Sequence, residues 1–418
     1  MMKLIVLFIT AAIFLNRCNG DEDECKKKTS HLAPIRLKND ILCDYTSNVR
    51  PIFNHTNATV VTVKMILKFF TYDMHTNSLS VHNWLSIFWR DDHLKWKPSD
   101  YENIKQIHLS NYEIWTPDLS IYNSNDLSSH PSALSSVDCL VVSTGLVVCV
   151  NPSRHDALCM ADLTKFPFDK QNCSLRYGSW VHSGEEIDFK IPAIPVSTGD
   201  YIPNSEWKLL SVSVQKFPGH YNCCPDNTYP SINYRFSIER HSATQAAAVI
   251  IPSLVLIIIT LTTLWMNPQE LDRLCLACCN LIAHTIHIQM IVWQLPSTGD
   301  KPPLLIVYSR DSLLLCTFTI VLTVVLKAMT QSAKPSPAWI STVVSGVLSN
   351  RPGQWFLLYE SSLKSIATGV KEEDTVNIIE SNAVSINKDW KLFAKLLDRI
   401  SFIGFLITYV VMFVTFIV

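Results

Sequence analysis

Cysteine is the most informative residue type in this chain. Thirteen are present, and eight fall between residue 20 and the first long apolar run: Cys25, Cys43, Cys139, Cys149, Cys159, Cys173, Cys223 and Cys224. An even set in an oxidising compartment is what a disulfide framework requires, although spacing alone leaves the connectivity open. Cys139 and Cys149 stand equidistant from Thr144, so they can face each other across a hairpin turning at Ser143-Thr144-Gly145 and bond. Cys223 and Cys224 are neighbours. A bond between them holds two α carbons about 3.8 Å apart, below the usual disulfide range of roughly 4.4–6.8 Å; the alternative is two thiols that each pair elsewhere. Cys275, Cys278, Cys279 and Cys316 lie in apolar segments, where a reduced, buried thiol is expected. Cys275 and Cys278 with His284 and His287 have the residue types of a zinc site, but the pairs are too close together and share an apolar helix, so no metal is expected.

Such residues need elements to hold them, and composition points to two kinds. The chain has 418 residues, of which 48% are hydrophobic, gathered into a few long runs as in a membrane protein with one soluble portion. A net charge of -1 gives no basic footprint for nucleic acid. Residues 1–20 carry Lys3, an apolar stretch from Leu4 to Leu15, and Asn19-Gly20, the pattern of a secretory signal peptide. The chain beyond residue 20 is therefore expected to enter the oxidising lumen, where the sequons at Asn54, Asn57 and Asn172 are glycosylation acceptors.

From about 30 to 240, short runs rich in Val, Ile, Thr, Tyr and Trp are broken by Gly, Pro, Asn and Asp, which reads as an antiparallel sandwich. Ala246 to Met266 is then long enough to cross a bilayer, and Pro252 within it is tolerable where neighbours satisfy the freed carbonyl. A second run, 274–295, contains Asn280, His284, His287 and Gln289 and is expected to face water or other helices as a pore wall. If the two histidines line that pore, protons should block it. Third and fourth runs span 311–328 and 400–418. Four spans after a cleaved signal put both termini outside and 330–399 inside. Within that segment Trp339 to Trp355 reads as interfacial and amphipathic, Lys371 to Asn387 as solvated, and Trp390 to Arg399 as helix leading into the last span. No nucleophile and base, and no metal set, converge as an enzyme would need.

Cys159-Met-Ala-Asp-Leu-Thr-Lys-Phe166-Pro167-Phe168-Asp169-Lys-Gln-Asn-Cys173 resembles the signature loop of the Cys-loop, or pentameric ligand-gated, ion channels. The resemblance covers almost the whole mature chain, through Asn48-Val-Arg-Pro51, Trp84 to Trp96, Trp115-Thr-Pro-Asp118, Gly178-Ser-Trp180, Pro252 and Asp398-Arg399. It implies an all-β extracellular immunoglobulin-like sandwich of about ten strands followed by a four-helix transmembrane bundle. The parts are then a signal peptide (1–20), a neurotransmitter-binding sandwich (21–240), helices one to three (241–330), a cytoplasmic loop with amphipathic helices (331–399) and helix four (400–418). It also implies a Cys159–Cys173 bond, which in the chain-entropy account restrains the unfolded state by ~3 kcal/mol. The stiff Phe-Pro-Phe tip of that loop is suited to pushing on a membrane-facing helix linker.

Tyr221-Asn-Cys223-Cys224-Pro-Asp226 resembles the tip of the nicotinic loop that closes over agonist. It implies a Cys223–Cys224 bond and a divergent, insect-like alpha-type subunit of a nicotinic acetylcholine receptor. A quaternary ammonium is held best between ring faces, at ~2 kcal/mol or more per desolvated contact. The family pattern puts that duty on Tyr122, Trp180, Tyr221 and Tyr229, with Cys223 and Cys224, on the principal face. On the complementary face it falls to Trp84, aligned through Trp89 and Trp96, with Val148 and Val150. Arg240 matches a buried arginine that pairs with an acidic residue near the Cys loop, for which Asp169 is the candidate; with Phe166, Pro167 and Phe168 it is expected to couple binding to opening.

In the pore, Glu270 and Asp272 fall at the inner acidic ring and imply cation selectivity, while Ile282 and Ile286 fit a gate that closes by dewetting. Cys275 and Cys279 stand where Thr and Ser are usual, and Trp293 where an outer acid is common. Arg176 replaces a usual Lys, and Ser231 a frequent Asp. The implied protein is an acetylcholine-gated cation-channel subunit of a pentamer, in the plasma membrane and postsynaptic. Its partners are an acetylcholine-like quaternary ammonium, other nicotinic subunits or copies of itself, the bilayer and permeating cations; no cofactor is implied. Two alternatives stay open: an agonist-binding or accessory subunit that conducts only in heteromers, and a receptor tuned to a different amine.

Overall fold

Alternation of apolar and polar residues sets the faces of the first strands, because successive side chains of a strand point to opposite sides. In the computed structural model, which describes residues 32–125, 133–297, 301–332, 335–354, 357 and 381–417, β1 (Thr59–Asp73) buries Val61, Val63, Met65 and Leu67. Antiparallel to it, β2 (Ser78–Lys95) buries Leu79, Val81, Leu85, Ile87 and Trp89. The signal-peptide residues, Cys25 and most of the solvated stretch 371–387 lie outside the described residues.

Seven strands form the larger sheet. Its order is β3 (Gln106–Ser110), β5 (Asp138–Val142), β6 (Thr144–Leu158), β2, β1 and β8 (Ile187–Lys190), with β9 (Val196–Ser197) also on β1. Contacts of β8 and β9 with β1 are parallel, and the rest of the sheet is antiparallel. The smaller sheet runs β10 (Trp207–Phe217), β11 (Ser231–Arg240), β7 (Lys170–Ser179) and β4 (Leu119–Ile121). Between the sheets sit Trp89, Trp207, Tyr177, Tyr234, Phe70, Phe189 and Phe236, each worth roughly 1.5–3 kcal/mol of apolar burial. Tyr234 reaches across to donate to the Val63 carbonyl at 3.1 Å. Helix α1 (Ala33–Leu42), begun by a proline in its first turn, adds Leu37 and Ile41 to the same core.

Two disulfides between described residues staple the sandwich. Cys159, just past β6, bonds Cys173 on β7 and so ties one sheet to the other. Cys139 and Cys149 are direct cross-strand partners on β5 and β6, with α carbons 4.4 Å apart, and are bonded as the hairpin geometry predicts. Cys43 is also disulfide-bonded.

The second compact unit is helical: α2 (Ala243–Thr263), α3 (Leu271–Gln294), α4 (Leu304–Thr330), α5 (Ala338–Leu348) and α6 (Ser381–Ile417). Among the described residues, four segments are long and apolar enough to cross a membrane: α2, α3, α4 and residues 389–415 of α6. Each of these four helices begins before the apolar run that announces it. In α4 the extension takes in Arg310, which pairs with Asp311 at 2.7 Å; α6 absorbs the amphipathic lead-in and the last span in one rod.

Several polar side chains within the bundle find partners on neighbouring turns or helices. Thr260 and Thr323 donate back to the carbonyls of Leu256 and Thr319. Asn280 donates to Thr260 at 2.8 Å. Residues 162–169, the tip of the Cys159–Cys173 loop, group with these helices, and the Leu304 amide donates to the Thr164 carbonyl at 3.0 Å.

Candidate functional site

Tyr122, directly after β4, is fixed at both ends. Its amide donates to the Arg176 carbonyl at 2.9 Å and its hydroxyl to the Ser179 carbonyl at 2.6 Å. The ring lies flat enough on β7 that any side chain at Gly178 would overlap it. Burial, and next the neighbouring Tyr221, push the Tyr122 phenol up to about 12, so it is neutral at physiological pH.

Trp180 follows β7, its ring centroid 6.2 Å from that of Tyr122 at 74°, an edge-to-face pair. Asp118 shapes the turn that presents it. The carboxylate accepts from Ser179 Oγ at 2.6 Å and from the Val181 amide at 2.7 Å, and lies 3.1 Å from His182 Nδ1. The indole is 71% exposed, an unusual position for the largest apolar side chain unless something else covers it.

Tyr221 and Tyr229 stand on the connection between β10 and β11, ring centroids 6.1 Å apart. Gly219 at φ 70 lets the chain turn there, and the Tyr229 amide closes the loop onto the Gly219 carbonyl at 2.9 Å. At its tip the Cys223 and Cys224 sulfurs are unbonded and 2.9 Å apart.

Arg176 links the two aromatic pairs. Its Nε donates to Ser231 Oγ at 2.9 Å, its Nη2 donates to the Tyr221 hydroxyl at 3.2 Å, and its Cζ lies 5.5 Å from the Tyr122 ring centre. Arg176 thus touches one ring of each pair, Tyr122 and Tyr221.

On the larger sheet, Trp84 belongs to the outward-facing positions of β2 and is 42% exposed. It pairs with Pro152 on β6, and Ser86 and Phe88 pair with Val150 and Val148. Trp84, Val148 and Val150 therefore share one outer face. Sequence reading missed what lies on it: the Lys68 ammonium sits 3.6 Å above the Trp84 ring and is held by Asp200 at 2.6 Å. The signal was an outward-facing lysine on β1 two residues beyond Ile66, the partner of Trp84.

Along α3, Asp272, Cys275, Cys279, Ile282, Ile286, Gln289 and Trp293 are all exposed, and their spacing of three or four makes a single stripe. Glu270, at the helix start, is exposed as well. His284 does not join the stripe: Nδ1 lies 2.9 Å from the Asn280 carbonyl and Nε2 lies 3.0 Å from Ser312 Oγ on α4. His287 meets Ser253 Oγ on α2 at 2.9 Å. The histidines are thus taken up by helix packing, because they fall a residue or two off the polar period.

In the loop expected to couple binding to opening, Phe166, Pro167 and Asp169 are buried and Phe168 is exposed; the Phe166–Pro167 peptide is cis. Arg240 is buried at the end of β11, its guanidinium 4.2 Å over Trp207 and 3.4 Å from Glu206. Asn54, Asn57 and Asn172 are exposed. A further ion pair was not foreseen: Arg273 on α3 and Asp398 on α6 join through two contacts of 2.7 Å.

Residues 35–242 match the ligand-binding domain of neurotransmitter-gated ion channels. The human neuronal acetylcholine receptor subunit alpha-10 is 25% identical over 330 residues, which cover 78% of this chain and 72% of that protein. Acetylcholine receptor subunit alpha-1-B of Xenopus laevis is 28% identical over 320 residues, covering 75% and 69%. Human neuronal acetylcholine receptor subunit alpha-6 is 29% identical over 314 residues, covering 74% and 63%. With this match over the sandwich, the Cys159–Cys173 loop and four membrane-length helices, the chain belongs to the Cys-loop family of neurotransmitter-gated ion channels, among the alpha-type subunits of nicotinic acetylcholine receptors.

Proposed function

We propose that this chain is an agonist-binding subunit of a pentameric, cation-selective channel opened by acetylcholine or a related quaternary ammonium, at the postsynaptic membrane. The observation that carries the reading is the convergence of Tyr122, Trp180, Tyr221 and Tyr229 at one corner of the sandwich, with Trp180 left largely uncovered. Two edge-to-face ring pairs, one of them carrying the uncovered Trp180 indole, offer π faces to a cation that has shed its water. Cys223 and Cys224 stand at the tip of the loop that would close over it. Trp84, Val148 and Val150 are the complementary half, supplied to a neighbouring subunit's rings.

Opening is transmitted, in this reading, through Phe166, Pro167, Phe168 and Asp169 and through Arg240 at the end of β11. The exposed stripe on α3 lines the pore, with Glu270 and Asp272 attracting cations at its inner end and Ile282 and Ile286 as the hydrophobic constriction. Asn54, Asn57 and Asn172 carry glycans. As a family member the chain is a ligand-gated channel subunit and a multi-pass plasma-membrane protein with an extracellular N-terminal domain.

A second reading, a subunit that conducts only in heteromers, is favoured by Lys68. Its ammonium already occupies one face of Trp84, so another subunit is better placed to supply the complementary half. Voltage-clamped oocytes expressing the full chain alone and beside a second nicotinic subunit separate the two. An acetylcholine current from the single chain, with a reversal potential that follows cations and ignores chloride, supports self-sufficiency. Current only in the mixture supports the heteromeric reading, and silence in both despite surface expression contradicts the proposal.

A further inference from the structure

We propose that this site prefers, among quaternary ammonium ligands, those that carry an anionic group beside the ammonium, and that Arg176 is the residue that selects them. The inference rests on reading the four rings as the agonist site and goes on to name the class of agonist.

Arg176 makes no ion pair among the described residues. Its guanidinium has five N–H donors. One goes to the Ser231 hydroxyl at 2.9 Å and one to the Tyr221 hydroxyl at 3.2 Å, which leaves three without an acceptor among the described residues. Four lysines of the sandwich are held by carboxylates, Lys68 by Asp200 at 2.6 Å, Lys216 by Asp188 at 2.5 Å, Lys170 by Glu239 at 3.0 Å and Lys38 by Glu113 at 2.6 Å. The cation set among the candidate ligand rings, 5.5 Å from the centre of Tyr122 and 5.9 Å from that of Phe217, is left with hydroxyls.

A guanidinium keeps its charge at every physiological pH. A bare quaternary ammonium placed on these rings therefore meets a like charge in a partly desolvated space where the repulsion is amplified, and the carboxylate nearby, Asp118, is taken up by Ser179, Val181 and His182 rather than by Arg176. A ligand with a carboxylate or phosphate a few bonds from its ammonium reverses the sign of that contact. Its cation takes the ring faces, and its anion takes the free edge of the fork, whose planar geometry suits two parallel bonds to an oxyanion. Ser231 matters because a carboxylate at that position would neutralise Arg176 from within, and the hydroxyl does not.

Choline, trimethylglycine and phosphocholine share one trimethylammonium head and differ in the anion, so they isolate the effect. Their affinities are to be measured by titration calorimetry on the full chain, purified in detergent as the receptor it assembles. Trimethylglycine or phosphocholine should bind ~10-fold or more tighter than choline, as one charge-assisted contact warrants. In Arg176→Gln that ratio should fall to about one, with choline gaining affinity, while Arg176→Lys should retain part of it. Ser231→Asp, which leaves Arg176 in place, should shift preference the same way. Choline binding as tightly as the zwitterions, a ratio unmoved in both Arg176→Gln and Ser231→Asp, or no binding of any of the three overturns the proposal. If all three bind and Trp180→Ala changes none of them, it is the ring site itself that fails.

Discussion

Arg273 and Asp398 are joined by two hydrogen bonds of 2.7 Å although 125 residues separate them. The arginine is fully buried on the helix that carries the exposed stripe, and it also donates to the Met266 carbonyl at 2.7 Å and to Thr323 Oγ1 at 3.0 Å. One side chain thus gathers α3, α4, α6 and the turn before α3. A fork-to-carboxylate pair whose arginine makes two further hydrogen bonds meets the condition for a buried ion pair to hold its place.

Removing one member leaves a buried charge uncompensated, at a cost of about 3–5 kcal/mol. Asp398→Ala should therefore reduce the melting temperature and surface expression severely. The double change Arg273→Met with Asp398→Leu removes both charges at similar volume and should recover most of the loss. A double variant as damaged as the single one would contradict this account.

Cys275 and Cys279 face outward on the α3 stripe, and Cys316 is buried among the helices. A small, charged, thiol-specific reagent applied in water should modify the first two if the stripe lines the pore, and should leave Cys316 unmodified. Peptide mass mapping of the intact receptor in membranes reads this directly. Equal labelling of Cys316, or protection of both stripe cysteines, would move the pore to another face.

His155 is buried in the sandwich, with Nδ1 2.6 Å from the Tyr177 hydroxyl. Burial disfavours the imidazolium and brings its pKa down to about 4. An unfolded histidine titrates near 6.5, so between the two values the unfolded chain binds more protons than the folded one. Stability from this group is full above about pH 6.5 and declines as pH falls toward 4, by about 3 kcal/mol in all. The melting temperature should drop between pH 7 and pH 5, with a shallower drop in His155→Gln; identical slopes would rule out His155 as the source.

Much of this was legible in the residues because it is local. The two-residue period of Val61, Val63, Met65 and Leu67 gives a strand and its inner face, and equal spacing about Thr144 gives the Cys139–Cys149 pair. Apolar runs locate the membrane helices, although not their ends: Ala243, Thr244 and Gln245 extend α2, and Arg310 with Asp311 sit inside α4. Polar residues continue a helix at no local penalty, so a hydropathy boundary stops short of the structural one. The ring cluster was legible from the family pattern rather than from physics, since Tyr122, Trp180, Tyr221 and Tyr229 come from three separate connections.

What could not be read were pairs fixed only by tertiary geometry. Lys68 over Trp84, Arg176 among the rings and Arg273 on Asp398 each need to know which strands or helices are neighbours and in what register. The two histidines show the opposite error, since a polar residue in an apolar helix suggests water when a neighbouring helix can satisfy it equally well.

The most direct test of the central claim is the acetylcholine concentration–response of the expressed channel with Trp180→Ala in this chain, at matched surface expression. Losing one desolvated cation–π contact of ~2 kcal/mol or more should raise the half-maximal concentration ~30-fold or abolish the response. Trp180→Phe should fall between the two. A half-maximal concentration unchanged by Trp180→Ala would contradict the assignment of these rings as the agonist site.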